Sequence, residues 1–196
     1  LPKSLIKGEG CVIDPACRFG ENVRLGSNVV LEGSVNVGNN VVISSGAVIG
    51  SAGFGFIEGE NKRYIHFPHI GGVVLQDDVY VGANSCIDRA GLGKTVIGKG
   101  TKISNHCQIG HNAIVGANVI ITGRVQLGGG CSIGDNAYLG PGVIISNNIK
   151  VGANSDVKIG SVVITDIGEG EGVSGNFAMR HKRNLYYFTR KKAGRL

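Results

Sequence analysis

One aliphatic residue recurs every six positions along most of this chain, a spacing that an α-helix does not produce. The register runs through the first fifty residues, returns at Leu75, and resumes at Ile97 after four inserted residues. The repeated positions are Ile13, Phe19, Leu25, Leu31, Val37, Ile43, Ile49, Leu75, Val81, Ile87, Ile97, Ile103, Ile109, Val115, Ile121, Leu127, Ile133, Leu139, Ile145, Val151, Val157 and Val163. These 22 hexads indicate a repeat architecture.

The six-residue period is typical of a parallel β-helix. In each hexad a short strand points one aliphatic side chain inward, and Gly, Asn or Asp in the next turn tolerates the positive φ of a corner. Three strands complete a triangular coil, and stacked coils pair strand on strand. We therefore predict an all-β, left-handed parallel β-helix of about seven coils. Prisms of this class usually pack through their flat faces, so we expect a homotrimer.

Composition agrees with a folded protein and narrows its class. The chain has 34 Gly without a triplet period, which excludes collagen, and its 42% hydrophobic content argues against disorder. It has no long apolar run and no signal-peptide pattern, so we expect a cytoplasmic protein without a membrane span. Its five cysteines form no C-x-x-C pair, and four of them occupy small core positions of the repeat: Cys11, Cys17, Cys107 and Cys131.

Two segments interrupt the period and divide the chain. Residues 50–72, the excursion loop, hold four of the chain's eleven Phe and Tyr residues and two of its five His. We predict that the β-helix spans residues 1–165 and that residues 166–196 form a basic helical segment. Between Arg180 and Leu196 there are seven Lys or Arg and no acid, a charge that suits phosphates or simply a solvated helix end. No stacking platform accompanies it, so nucleic acid is not expected as a partner.

The remaining feature is "SNHCQIGHN", residues 104–112, in which two histidines lie five apart. With "GFGF" and "IGGVVLQDDVYVGANSCIDRAGL" before it, this segment resembles the UDP-3-O-(3-hydroxyacyl)glucosamine N-acyltransferases of lipid A synthesis. The resemblance runs from about Gly53 to Ile121 and implies that His111 is the general base. An imidazole can accept a proton from an attacking amine near neutral pH. A backbone N–H of a neighbouring coil would then hold the oxyanion.

The same resemblance implies the partners of the reaction. The donor would be a phosphopantetheine thioester, carried by coenzyme A or an acyl carrier protein, and the acceptor an amino group on a nucleotide-linked sugar; no metal is expected. The segment "VSGNFAMRHKR" is similar to the turn after the prism in such acyltransferases. The predicted donor-binding residues are Gly175, Asn176, Arg180, Lys182 and Arg183. The predicted acceptor-binding residues are Phe54, Phe56, Asp88, Arg89, Asn105 and Gln108.

Three departures separate the chain from that family's pattern. Ser104 stands where those enzymes typically have an Asp, and Asn148 stands where they have a second histidine. Their N-terminal uridine-binding domain is absent from this sequence. Asp88 and Arg89 lie where the register slips by four residues; besides an acceptor contact, an ion pair on a corner would explain them.

Two other functions are compatible with the sequence. His106 and His111 have the H-x4-H spacing of γ-type carbonic anhydrases, with His69 upstream, so three imidazoles could hold zinc across a subunit boundary. The third reading is a non-catalytic structural β-helix, in which the excursion loop of a neighbouring chain fills the cleft beside His111.

Overall fold

The computed structural model describes residues 4–175 and 189–191. Within them the chain folds as an all-β solenoid with three parallel sheets of nine, eight and seven strands. Each repeated residue of the sequence lies in one of these short strands, as the six-residue period predicts, and most of them are the last residue of their strand. The expectation of about seven coils was too low, because the longest sheet gives about nine turns. The additional strands lie at the two ends, at Ile6–Lys7 and Gly172–Val173, outside the register counted in the sequence.

The strands of each sheet follow one another along the solenoid axis. The nine-stranded sheet contains Ile6–Lys7 (β1), Arg24–Leu25 (β4), Val42–Ile43 (β7), Tyr80–Val81 (β12), Lys102–Ile103 (β15), Ile120–Ile121 (β18), Tyr138–Leu139 (β21), Asp156–Val157 (β24) and Gly172–Val173 (β26). The eight-stranded sheet contains Val12–Ile13 (β2), Val30–Leu31 (β5), Val48–Ala52 (β8), Cys86–Arg89 (β13), Gln108–Ile109 (β16), Gln126–Leu127 (β19), Ile144–Ile145 (β22) and Val162–Val163 (β25). The seven-stranded sheet contains Arg18–Phe19 (β3), Ser34–Val37 (β6), Gly72–Leu75 (β11), Lys94–Ile97 (β14), Ile114–Val115 (β17), Ser132–Ile133 (β20) and Lys150–Val151 (β23).

The core is the column of inward side chains. Ile43, Ile103 and Ile109 are fully buried, and Cys107 and Cys131 fill small positions beside them as their spacing predicts. Burying this column removes apolar surface from water in every coil, so each coil stabilises its neighbours. Burial also raises the pKa of the Cys107 and Cys131 thiols above the usual value.

Corners of the solenoid carry residues with positive φ, and most are Asn or Gly. Asn112 and Asn118 have φ of 60° and 55°, and His106, six residues before Asn112, has 57°. Asn tolerates this conformation because its short side chain bonds locally. Several corner amides also bond to the same corner one coil away, as Asn22 does to Oδ1 of Asn40 at 3.2 Å. His106 therefore occupies a corner site that the repeat usually gives to Asn.

The excursion loop and the end of the chain complete the described structure. The loop forms an antiparallel hairpin of Phe56–Glu58 (β9) and Tyr64–His66 (β10), joined by a 3₁₀ turn at Glu60–Lys62. Pairing continues past residue 165, where we expected the solenoid to end, through the Val151–Ile167 bridge and β26. Residues 189–191 are helical, and the rest of the expected C-terminal helix lies outside the described residues. No helix among the described residues is long and apolar enough to cross a membrane.

Candidate active site

The site is built where the excursion loop rejoins the solenoid. Backbone N–H groups of Ile70, Gly71 and Gly72 donate to the carbonyls of Gly91, Ala90 and Gly93, so the returning chain is tied to the segment carrying the four inserted residues. This anchoring lays the end of the loop across the coil that precedes His111. The excursion loop and the four-residue insertion, both of which interrupt the repeat, are thus in contact.

His111 lies half-buried at the corner after β16, and its neighbour Asn112 fixes its tautomer. Oδ1 of Asn112 accepts the N–H of Gly91 at 3.0 Å, while Nδ2 donates to the carbonyl of Leu92 at 2.9 Å. Nδ1 of His111 lies 3.1 Å from that same Oδ1, an atom that only accepts, so Nδ1 carries the proton in the neutral ring. Nε2 of His111 is therefore left with a free lone pair, the state that a general base requires.

His69, from the excursion loop, packs edge-on against His111. Their ring centroids are 5.1 Å apart with an interplanar angle of 71°, and His69 is only 5% exposed. Nδ1 of His69 lies 2.9 Å from the carbonyl oxygen of Phe67, which again only accepts. His69 thus has the same tautomer as His111, with its proton on Nδ1 and a lone pair on Nε2.

Two glycines leave the space that the imidazoles occupy. A methyl group on Gly53 would lie 2.8 Å from Cβ and Cδ2 of His111 and 2.9 Å from Nε2 of His69. A methyl group on Gly129, one coil further along, would lie 2.6 Å from Nε2 of His111. Side chains at either position would collide with the rings, so the absence of Cβ at Gly53 and Gly129 is a condition for this arrangement.

Asp88 lies next to the histidines at the register slip between β8 and β13. Its Oδ1 accepts the Ser51 hydroxyl at 3.1 Å and its Oδ2 accepts the Gln108 amide at 2.9 Å. Burial raises the pKa of Asp88 above its usual value, although both hydrogen bonds and the charges of His111 and His69 act in the opposite direction. Gln108 and Asp88, both predicted acceptor contacts, are thus joined to each other.

Arg89 forms no ion pair with Asp88, which excludes that explanation of the two residues. Its Nε donates to the carbonyl of His69 at 2.8 Å, and a terminal nitrogen donates to the carbonyl of Gly50 at 3.0 Å. These carbonyls stand at the end and the beginning of the excursion loop. Arg89 therefore clamps the base of the loop and holds His69 in place.

Aromatic rings extend from the histidines along the loop. Phe54 and Phe56 are 5.0 Å apart, Phe56 and His66 are 5.1 Å apart, and the His66 ring stacks on His69 at 5.9 Å. Phe54 is 87% exposed. With Gly55 and Tyr64, these two phenylalanines line an open cavity of about 620 Å³. An apolar recess with flat rings is suited to a planar or hydrophobic group.

His106 and Asn105 lie on the preceding corner, between β15 and β16. Asn105 accepts the N–H of Ala83 at 2.8 Å through its side-chain oxygen, which links two coils. His106 is exposed there and has no ring contact with another described residue. Across residues 4–175 and 189–191, no group of three or more His, Cys, Asp or Glu is arranged to hold a metal ion. The zinc triad of His69, His106 and His111 is thus not assembled within these residues.

The predicted donor-binding residues are described only in part. Gly175 lines a cleft of about 390 Å³ at the end of the solenoid, together with Thr165 and Asp166. Asn176, Arg180, Lys182 and Arg183 lie outside the described residues.

Sequence reasoning named His111, Asp88 and Gln108 but missed part of their surroundings. Asn112, Ser51, Gly129 and the position of His69 beside His111 were not predicted as parts of the site. The register offers a signal for Gly129, because it lies 18 residues, or three hexads, after His111. His69 was named only as a candidate zinc ligand with His106 and His111, and its loop has no period that would place it beside His111.

Comparisons with known proteins agree with this architecture. The bacterial transferase hexapeptide model (six repeats) matches residues 16–51, and the model of the hexapeptide repeat of succinyl-transferase matches residues 124–163. A UDP-3-O-acylglucosamine N-acyltransferase of Anaeromyxobacter dehalogenans is 45% identical over 125 residues, covering 61% of this chain and 35% of that protein. Its counterpart from Syntrophotalea carbinolica is 49% identical over 81 residues, covering 41% and 23%. The chain spans about a third or less of these relatives.

Solved structures show the same fold at low sequence identity. A UDP-N-acetylglucosamine acyltransferase from Campylobacter jejuni superposes with a TM-score of 0.74 at 21% identity, over 97% of this chain and 77% of that one. The Arabidopsis UDP-N-acetylglucosamine acyltransferase gives 0.67 at 23% identity, over 97% and 70%.

Proposed function

Because the chain belongs to the hexapeptide-repeat acyltransferases, we propose that it transfers an acyl group from a phosphopantetheine thioester to the amino group of a nucleotide-linked amino sugar. The relatives with 45% and 49% identity are named UDP-3-O-acylglucosamine N-acyltransferases. The product would serve lipid A or another cell-envelope glycan.

The observation that carries the proposal is the free Nε2 of His111. The hydrogen bond from Nδ1 to Asn112 orients the ring, so the carboxylate that Ser104 cannot supply is replaced by an amide. As the amine nitrogen attacks the thioester carbon, Nε2 takes the amine proton and the carbonyl oxygen becomes negative. His111 then returns that proton to the departing thiolate sulfur.

A backbone N–H one coil further along would stabilise the oxyanion. The N–H groups of Gly128 and Gly130 donate to the carbonyls of Ile145 and His111 in the solenoid ladder. The N–H of Gly129 donates instead to a side chain, Oδ1 of Asn147, at 2.9 Å. Gly129 is thus the N–H beside His111 that a substrate oxygen can engage without breaking a backbone pair.

The aromatic cavity is the proposed binding site for the nucleotide part of the acceptor. Phe54, Phe56 and Tyr64 provide ring faces on which a base can stack, and Gly53 connects them directly to the histidines. Asp88, held by Gln108 and Ser51, places a carboxylate where it attracts the amino group of the sugar.

The donor and the assembly complete the proposal. The thioester arm would run along the solenoid toward Gly175, and its phosphates would meet Arg180, Lys182 and Arg183. We propose a left-handed coil and a homotrimer, since Ile114, Ile120 and Ile144 are exposed on the outer sheet faces and a packed trimer would bury them. The base, loop and donor arm would then meet at a boundary between subunits.

The experiment that tests the function is a product assay. The purified chain is incubated with UDP-linked amino sugars and with acyl-coenzyme A or acyl carrier protein, and the mixture is analysed by mass spectrometry. We expect an amide on the sugar nitrogen, together with free thiol in equal amount. A preparation that carries stoichiometric zinc, hydrates carbon dioxide and forms no amide would overturn the proposal in favour of a metal-dependent hydratase.

A further inference from the structure

His69 is a buried, oriented imidazole that the proposed reaction has not yet used. Its Nδ1 donates to the carbonyl of Phe67, and its own carbonyl accepts from Nε of Arg89, so both the ring and the backbone are held. Among the described residues, Nε2 of His69 has no hydrogen-bond partner, although the residue is only 5% exposed. Within residues 4–175 and 189–191 only Oδ1 of Asp156 is both fully buried and unpaired, so Nε2 of His69 is not sealed off and its lone pair can meet a group that enters the site.

The position of that nitrogen connects it to the reaction. Nε2 of His69 and Cδ2 of His111 both lie within 2.9 Å of the point where a Gly53 methyl would stand. Cδ2 is bonded to Nε2 of His111, the proposed base. The Nε2 lone pairs of His69 and His111 therefore face the same small space, which is open because Gly53 and Gly129 have no side chains.

Acylation of an amine requires the removal of two protons when the amine arrives charged. A sugar ammonium group must lose one proton to become a nucleophile, and the nitrogen loses a second as the amide forms. One imidazole can accept only one of them. A site with two acceptor nitrogens can take the charged form directly.

We infer that His69 is a second proton acceptor, which takes the first proton from the ammonium group of the acceptor before His111 takes the second. This inference depends on the proposed acyl transfer to an amine. In the first step the N–H bond of R–NH3+ breaks and Nε2 of His69 becomes protonated. In the second the N–C bond forms, His111 takes the next proton, and the C–S bond breaks. His111 protonates the departing sulfur, and His69 releases its proton to water.

The charged groups around His69 fit this role. Asp88 interacts electrostatically with both histidines, so its carboxylate stabilises an imidazolium or an incoming ammonium. The positive charge of Arg89 is directed at the carbonyls of His69 and Gly50. His66 stacks on the His69 ring from the exposed side of the loop. Of these groups only Asp88 is an anion, and it attracts an incoming ammonium group toward the histidines.

The test is the pH dependence of His69→Gln against a matched His106→Gln control, since His106 is exposed and lies away from the His69 ring. Glutamine keeps the size and the donor toward Phe67 but has no nitrogen that can accept a proton. We expect kcat/KM of His69→Gln to be at least about tenfold below wild type near pH 6.5 and to recover to within about twofold near pH 9, where water already receives the ammonium proton. His106→Gln should follow the wild-type profile throughout.

Three results separate the inference from the proposed function. A wild-type enzyme that forms no amide contradicts the function itself. A His69→Gln enzyme that matches wild type at every pH, or falls by one constant factor at every pH, overturns the inference alone. If His69→Gln does not fold, ¹⁵N NMR of wild type decides, because the inference requires neutral His69 with its proton on Nδ1 at the working pH. An Nε2-protonated or charged His69 would overturn it.

Discussion

The side-chain amide of Gln108 donates a hydrogen bond to Oδ2 of Asp88 at 2.9 Å, joining β16 to β13 beside the two histidines. The neighbouring strands pair with Cys86 opposite Gln108, and Asp88 follows Cys86 two residues later on the same strand. The bond lowers the pKa of a carboxyl group that burial raises. The charge state of Asp88 therefore depends on its neighbour one coil away.

Replacement of Gln108 by Met is expected to raise the pKa of Asp88 further, because it removes a donor to the charged form without removing bulk. The acid limb of the kcat/KM profile should move to higher pH, and ¹³C NMR of the labelled carboxyl group should show the same displacement. Gln126→Met is the control, since Gln126 lies opposite Gln108 on the next coil. If Gln108→Met and Gln126→Met gave the same pH profile of kcat/KM, the acid limb could not be assigned to Asp88.

The pH dependence of the protein's stability should also reflect the titration of Asp88. Since the pKa of Asp88 is raised on folding, the folded chain binds this proton more tightly than the unfolded chain. The contribution of Asp88 to stability is greatest at acid pH and is lost as pH rises from about 4 through the raised pKa. The Tm of Asp88→Asn relative to wild type should therefore increase over that window and then level off. If the Tm of Asp88→Asn and of wild type changed in parallel with pH, or if their difference became smaller as pH rises, a raised pKa of Asp88 would be excluded.

Gly53 should tolerate no side chain without loss of activity. Its backbone φ is not in the left-handed region, so Gly53→Ala tests space alone. The added methyl would meet both histidines, so we expect kcat to fall about tenfold or more and the Tm to fall as well, because overpacking costs about 1–3 kcal/mol. Gly123→Ala is a suitable control, because the nearest atom to its methyl is 3.7 Å away. An unimpaired Gly53→Ala enzyme would show that the ring arrangement is not needed for turnover.

The aromatic cavity makes a separate prediction about the acceptor. Phe56→Ala should raise KM for a UDP-linked acceptor about tenfold with little change in kcat, because stacking contributes about 1–3 kcal/mol per base. Ile57→Ala is the control, from the neighbouring position of the same strand. Competition by UDP alone provides a direct binding measurement. If Phe56→Ala bound UDP as tightly as wild type, the proposal that the nucleotide binds in this cavity would be wrong.

The period of the sequence predicted the solenoid because one aliphatic residue per strand is a strictly local requirement. The side chain of Ile109 points into the core of the solenoid, and the other repeated positions follow the same pattern. The end strands were missed for two reasons. Lys7 occupies the aliphatic position of β1, opposite Leu25 of β4. Val173 of β26 pairs with Val157 of β24 at a separation of 16 residues, two fewer than three hexads, so it falls outside the register.

The site was predicted only where it lies on the repeat. His111 and Gln108 follow from the motif, and their corner and strand positions follow from the register. His69 reaches His111 only because the excursion loop folds back and Arg89 clamps both of its ends. That path depends on contacts between residues 20 and 39 positions apart, which no local pattern encodes.

The most direct test of the account is the turnover of His111→Ala beside His106→Ala. Both histidines lie on corners of the same segment, but only His111 contacts the site, whereas His106 is exposed. We expect His111→Ala to keep the wild-type Tm and lose about 10²-fold or more in kcat, the usual magnitude for a general base, while His106→Ala stays within about twofold of wild type. A folded His111→Ala enzyme with wild-type turnover would contradict the central claim.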